Sequence, residues 1–451
     1  MAILVDHGCS PWSILLLAKE EDQHKGAVGS VHDPAPVMAS GELSRFRREL
    51  YASLTARSDA LFELVEAVLC ADGPVTSLVE LTLVAEHRRG HGAMYDALNH
   101  GCIPGWPYSF VAALEPGRSS WTPLLDVVRL GPVDDPTAVT ADRLRAVVAR
   151  LVAAGQWRPG DPDILIVTDA GYDITRLAFV LADLPVELFG RIRSDRVLRR
   201  PKPPRRPGTT GRPLKHGPEF ALDEPDTWPQ PTHSTVTDTT RYGIATASSW
   251  DRLHPRLTHR GCWLDHDGEL PVIEGTLIRL QVDHLPGDGD PKPVWLWSSV
   301  TGATSSDVNR WWQSFLRRFD LEHTFRLFKQ TLGWTTPKIR DPAAADRWTW
   351  LIIAAHTQLR LARPLAADLR RPWEKPALPG RLTPARVRRS FRNLRPTTVL
   401  PASAPKPSRP GPGRPPGSRN RVPAPRHNVG KPPNASSPSP RSDSAQVKDQ
   451  A

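Results

Sequence analysis

Ile164-Leu165-Ile166-Val167-Thr168-Asp169 is an unbroken apolar and β-branched run closed by an acid. Text without polar alternation is what a strand covered on both faces of a sheet requires. Ala170-Gly171-Tyr172-Asp173 then turns the chain into a helix predicted over 174–184, and 186–192 reads as the next strand. Upstream, Leu144, Val147, Val148, Leu151 and Val152 share a helical face that Thr140 would cap and Gly155 would close. Before that helix, 108–114 and 121–130 are apolar strands joined by the turn Glu115-Pro116-Gly117-Arg118, a hairpin. Hairpin, helix, buried strand, helix, strand is the order of an α/β layer fold with a mixed sheet.

The flanks divide into units by composition. Residues 1–37 are a poorly patterned N-terminal extension. Residues 38–102 form a helical unit: Leu43, Phe46, Leu50 and Leu54 recur at helical spacing, as do Leu61, Leu64, Val65 and Val68, and a short helix is predicted over 78–83. The α/β text fills 103–198. Residues 199–300 begin with a basic, proline-rich connection, from Arg199-Arg200-Pro201-Lys202 to Lys215, that no helix or central strand tolerates. They continue as a mostly β insertion, with strands at 235–247, 270–282 and 294–298. Helical periodicity returns in 301–370, with Asp307 as its expected N-cap and Val308, Trp311, Phe315, Phe325 and Phe328 on one stripe.

The charge is uneven. Of 59 Lys+Arg and 48 Asp+Glu in 451 residues, the stretch 381–451 holds 15 basic side chains against only Asp443 and Asp449, so the rest of the chain is nearly neutral. Residues 371–451 therefore read as a disordered, basic, Pro-rich tail of the kind that binds nucleic acid. Apolar runs such as 177–182 and 350–355 fall far short of the ~20 residues that span a bilayer, so no membrane partner is expected. Met1-Ala2-Ile3-Leu4-Val5-Asp6 lacks the basic leader of a secretory signal, and Cys9, Cys70, Cys102 and Cys262 form no CxxC pair. A cytoplasmic protein without disulfides or a zinc finger is expected.

Two places could carry chemistry. Asp169 ends the buried strand, and ligands of open α/β sheets gather at the carboxyl ends of strands; an Asp that merely caps the next helix is the bland alternative. Phe315, Arg318, Glu322 and Lys329 fall near whole turns of one helix, so a single face would carry a cation, a carboxylate and a second cation. Taken alone, the Arg318–Glu322 spacing also suits a surface ion pair.

The pattern Phe-x2-Arg-x3-Glu-x6-Lys at 315–329 resembles the Tyr-Arg-Glu-Lys signature of bacterial insertion-sequence DDE transposases, with Phe315 in place of Tyr. Asp169-Ala170-Gly171-Tyr172 is similar to the segment around their second catalytic Asp. The likeness covers roughly 104–365, and the wider text looks like an actinobacterial branch. It implies a ribonuclease-H-like α/β fold, a mixed sheet flanked by helices, in which Asp169 and Glu322 are catalytic residues and metal ligands. Two Mg²⁺ ions about 3.5–4 Å apart would activate the attacking oxygen and stabilise the leaving one at phosphorus. Carboxylates suit Mg²⁺, a hard ion that prefers oxygen. The resemblance further implies that Arg318, Lys329 and Phe315 contact DNA, with transposon ends and target as partners, and it allows a homodimer on DNA.

The first Asp of such a triad should close an opening strand just ahead of Tyr108. The text there, His91 to Cys102, is helix and turn; Asp96 fits a helix and Asp126 interrupts the second hairpin strand. The abrupt change near 101–103 points to an internal deletion that removes the opening strand and leaves 164–169 with an unpaired edge. Residues 2–6 do read as a strand ending in Asp6, but the helical unit would have to be inserted after it. The expectation is a DDE-type DNA transposase by descent, defective in catalysis, with a non-catalytic transposon-derived DNA-binding protein as the alternative.

Gly413-Arg414-Pro415-Pro416-Gly417-Ser418-Arg419 resembles an AT-hook, whose arginines would enter the narrow minor groove of A·T tracts; a generic phosphate-binding tail is the alternative. His87 and His91 stand at helical spacing without a third ligand and read as a solvated turn. Asp288 and Asp290 read as a hairpin turn, and Trp295 and Trp297 as core.

Overall fold

The apolar run is strand β5 (Ile164–Thr168), buried along its whole length. In the computed structural model of the chain β5 lies between two parallel neighbours. On one side is β6 (Val186–Arg191), in register from Ile164 opposite Val186 to Thr168 opposite Gly190. On the other is β1 (Ala2–His7), with Ala2 opposite Leu165. β1 runs antiparallel to β3 (Tyr108–Ala113), from Ile3 opposite Ala113 to His7 opposite Ser109, and β3 runs antiparallel to β4 (Leu124–Arg129). The two-residue β2 (Leu16–Leu17) pairs with the ends of β1 and β3. The structure describes residues 2–7, 16–17 and 35–405, apart from 56, 90–106, 115–119, 132, 169–170, 205–213, 265, 285–290, 338, 340 and 379–380.

The expected unpaired edge on β5 is thus corrected. A strand from the N-terminal extension takes the place beside it, in parallel, with Ala2 opposite Leu165.

The β insertion holds as β structure but is no separate module. β6 pairs with β12 (Val294–Ser298), which leads through β11 (Gly275–Val282) to β10 (Gly243–Pro255). β9 (His233–Thr239) lies along one part of β10, while β7 (Val197–Arg199) pairs with its far end and with β8 (Glu219–Ala221). Among the described residues the result is one mixed sheet of twelve strands. The run predicted as one strand at 235–247 is a hairpin, folded at Arg241-Tyr242 where Gly243 takes a φ of 65° that a side chain would resist. Trp295 and Trp297 are core, as expected.

Helices cover both faces. α1 (Ala35–Ser53), α2 (Ser58–Cys70) and the short α3 (Leu78–Leu81) form the N-terminal helical unit. α4 (Pro136–Ala153) starts a turn before the expected cap: Asp135, not Thr140, accepts from the Thr137 and Ala138 amides, and Pro136 fills the first position. α5 (Ile174–Val180) is capped by Asp173. The predicted long helix after 307 is two helices, α6 (Ser305–Leu316) and α7 (Phe319–Gln330). Thr304 caps α6 in a reciprocal box with Asp307, the residue expected to be the cap itself. α8 (Pro342–Ala362) packs α1 and α2 against the sheet. No helix among the described residues is long and apolar enough to cross a membrane.

The tail is structured further than its composition suggested. α9 (Pro384–Leu394) buries Val387 and Phe391, and its Arg388 donates to the Val68 and Gly73 carbonyls at 2.9 and 2.6 Å. Below it, Arg47 of α1 and Glu66 of α2, both fully buried, form a two-pronged pair at 2.7 and 3.0 Å. Gln358 and the Val399 carbonyl accept from the same Arg47, and Arg395 adds a second cation to Glu66 at 2.6 Å. The helical unit, α8 and the chain as far as residue 405 are therefore one body. Residues 406–451 lie outside the described residues.

Candidate active site

β3 organises the site, because its neighbours Ser109 and Phe110 face opposite sides of the sheet. On one side, the Ser109 hydroxyl is 2.9 Å from the Tyr172 hydroxyl and 3.3 Å from that of Thr140 on α4. Tyr172 lies three positions after Asp169 and is 5% exposed, so this bond ties down the turn that follows β5. On the other side, the Phe110 ring meets Phe325 of α7 at 5.0 Å between centroids and Trp334 at 5.3 Å. Trp334 is fixed by donating to the Thr349 hydroxyl at 3.0 Å and by accepting at its carbonyl from Trp348 at 2.9 Å. α7 is thus held on the sheet beside Phe110, and half-buried Glu322 lies about one turn ahead of Phe325 on that helix.

Ser109 and Phe110 are the register partners of His7 and Asp6. The tyrosine that follows Asp169 and the phenylalanine that follows Glu322 therefore both land on β3 where it runs beside Asp6. The close fit of β5 to β6 fixes this end of the sheet. A Cβ added at Gly190 would stand 1.8 Å from the Thr168 hydroxyl, so only glycine fits there.

The stripe 315–329 is divided between two helices. The link at Arg317-Arg318 tightens to bonds three residues back, Arg318 to the Phe315 carbonyl and Leu321 to that of Arg318. The Arg318 guanidinium lies 4.5 Å from the Phe315 ring centroid and 4.8 Å from that of Phe319. Phe315 is 1% exposed, with the Arg318 guanidinium over its ring. Lys329 is exposed at the far end of α7, 6.0 Å from the Trp334 ring centroid.

Of the other residues singled out in the sequence, Asp169, Asp96, Asp288, Asp290, Arg414 and Arg419 lie outside the described residues, as does His91. Asp126 is buried and ion-paired to Arg150 at 2.7 Å, a structural role. His87 is not on a solvated turn. It is 5% exposed, and burial pushes its pKa down. Among the described residues no group of three or more His, Cys, Asp or Glu is placed to hold a metal ion. Sequence reasoning gave little weight to Asp6, although the signal, an apolar run closed by an acid, is the one that located β5.

Comparison with known families agrees with this architecture. Residues 49–104 and 99–256 match the family described as DDE superfamily endonuclease. No curated protein matches the chain. The fold and the family match together support a ribonuclease-H-like, DDE transposase-like protein with a transposase-type nuclease domain. Asp169 falls within the matched span; Asp6 and Glu322 fall outside it.

Proposed function

We propose that the chain is a DNA transposase of the DDE type, acting in the cytoplasm on DNA phosphodiesters by metal-dependent cleavage and strand transfer, with Asp6, Asp169 and Glu322 as its carboxylates. The observation that carries this reading is the position of β1. A strand carrying Asp6 next to its end lies between β3 and β5, and Tyr172 and Phe325, near the other two acids in sequence, contact its partners Ser109 and Phe110.

Three carboxylates are a hard oxygen donor set, suited to Mg²⁺. When bound, two such ions supply activation of the attacking oxygen and stabilisation of the leaving oxygen. The chain's own residues position the DNA. Arg318, stacked on Phe315 and Phe319, offers a fixed guanidinium for a phosphate, and Lys329, about two turns beyond Glu322, a mobile point charge for the next. A homodimer holding two DNA ends belongs to the same reading, and sedimentation of the DNA-bound chain tests it.

One observation favours a second reading, a non-catalytic DNA-binding relative. The family match divides in two at 99–104, where the sequence changes character, and residues 2–7 lie outside it. Here β1 would restore the sheet without restoring the chemistry. Incubation of the full chain with Mg²⁺ and DNA carrying the gene's flanking ends separates the two. Cleavage that is lost in Asp6→Asn, Asp169→Asn and Glu322→Gln supports the first reading. Binding without cleavage supports the second.

A further inference from the structure

The segment after β6 has no part in the carboxylate site, yet its first residues lie beside Tyr172 in the turn after β5. A pocket beside the turn after β5 is lined by Tyr172, Asp173, Arg191, Arg193, Arg196 and Pro255 of β10. From Pro255 the surface continues along the pairing of β10 with β7, where His254 lies opposite Arg199. It then enters a second hollow lined by His254, Lys202 and Lys215. Basic side chains thus line both hollows, in the second beside Glu269 and Glu274.

Some of them are neutralised within the fold: Arg193 by Asp195, Arg199 by Glu219 and Lys215 by Glu269. Arg196, Lys202 and Arg256 are exposed, and none has an ion pair among the described residues. The local field registers on His216, whose Nδ1 is 3.0 Å from Nε2 of His254. Burial, the neighbouring His254 and then Lys215, Arg256 and Arg199 hold the His216 pKa below the ordinary value.

We propose that this track, marked by Arg196, Lys202 and Arg256, binds the phosphodiester backbone of DNA and leads the strand from the carboxylate site along the β7–β10 edge. The inference rests on the reading that the chain's substrate is DNA. An extended row of exposed cations matches a polymer with one charge per phosphate, and each neutralised phosphate releases counterions and steepens the salt dependence of binding.

The test measures binding of the full chain to a labelled duplex and to a labelled single strand by fluorescence anisotropy, without metal, over a range of salt. The variant Arg196→Gln/Lys202→Gln/Arg256→Gln is compared with Arg48→Gln/Arg143→Gln/Arg158→Gln, which removes the same charge from exposed positions on α1, on α4 and after α4. The track variant should lose roughly 10²-fold in affinity at about 0.1 M salt, with a log–log slope shallower by about 2.7 on the duplex or about 2.1 on the single strand. The control should lose only a few-fold, and both should melt with the wild type because all six side chains are exposed. Comparison of the two DNA forms shows which one the track receives.

Equal losses in the two variants, or wild-type binding by the track variant, overturn the proposal. Asp169→Asn keeps this result distinct from the catalytic reading, since that variant should bind like the wild type and fail only in cleavage. A wild-type chain that binds neither DNA form removes both.

Discussion

Phe325 on α7 meets Phe110 on β3 at 5.0 Å between ring centroids and 62° between planes, an edge-to-face contact. Phe110 is fully buried and stands opposite Asp6, while Phe325 follows Glu322 by about one helical turn. This one contact therefore sets how the helix bearing one acid lies on the strand beside another. Truncation of either ring to Ala should cost about 3–5 kcal/mol. The double variant should reveal a coupling of about 0.5–1.5 kcal/mol, the usual worth of such aromatic pairs beyond their buried area. Urea unfolding of the four proteins in the cycle measures it; strict additivity would show that the rings do not sense each other.

The buried pair Arg47–Glu66 makes a second prediction. Both side chains are fully buried, and Gln358, Arg395 and the Val399 carbonyl complete the network. Removal of one partner leaves an uncompensated buried charge, so Glu66→Ala should destabilise by about 3–5 kcal/mol. Because the network joins α1 and α2 to α8 and the 395–399 segment, the loss should appear as freer amide exchange in the N-terminal helices and in α9 together. Exchange confined to α2 would contradict this shared clamp.

His356 on α8 supplies the pH dependence. It is fully buried between Trp121 and Phe328, and neither ring nitrogen has a hydrogen-bond partner among the described residues. Burial, with Arg360 adding to it, pushes its pKa down to about 3. The folded state thus holds it neutral, whereas the unfolded chain protonates near 6.5. Its contribution to stability is complete above about pH 6.5 and is lost as pH falls towards 3. Between pH 7.5 and 5 this single group should remove about 2 kcal/mol. His356→Leu should flatten the pH dependence by that amount in urea titrations; an unchanged slope would place the acid sensitivity elsewhere.

The core strands were legible because burial on both faces leaves an unmistakable mark: 164–168, 186–191 and 108–113 lie within the runs expected as strands, while the second hairpin strand, expected over 121–130, is the shorter 124–129. Other features escaped for physical reasons. Residues 2–7 carry the same apolar-then-acid mark, but chain order argued against them, since a strand beside β5 was expected just before Tyr108. Pairing in a sheet needs proximity in space, and the helical unit between β1 and β3 folds aside against α8. The α6–α7 break was hidden because a tight turn of three-residue bonds preserves nearly the helical spacing of Phe315, Arg318 and Glu322. α9 was masked by the prolines around it, although Val387 and Phe391 are one turn apart. The fixing of the site by Ser109, Tyr172, Phe110 and Phe325 depends on contacts between distant segments, and no local pattern encodes them.

Gly190 offers a test of how strictly the end of β5 must be held. It stands opposite Thr168 in the parallel pair, and a Cβ there would lie 1.8 Å from the Thr168 hydroxyl and 2.9 Å from its backbone oxygen. The hydroxyl can rotate away or be removed, but the carbonyl moves only with the strand. Gly190→Ala should therefore destabilise by about 1–3 kcal/mol, the range of overpacked cores. Addition of Thr168→Ala should recover only part of it, because the contact with the carbonyl persists. The residue after Thr168 is Asp169, so the displaced strand end should depress DNA cleavage more than it depresses the melting temperature. Full recovery of stability in the double variant would show that the hydroxyl alone, and not the backbone, demands glycine at this position.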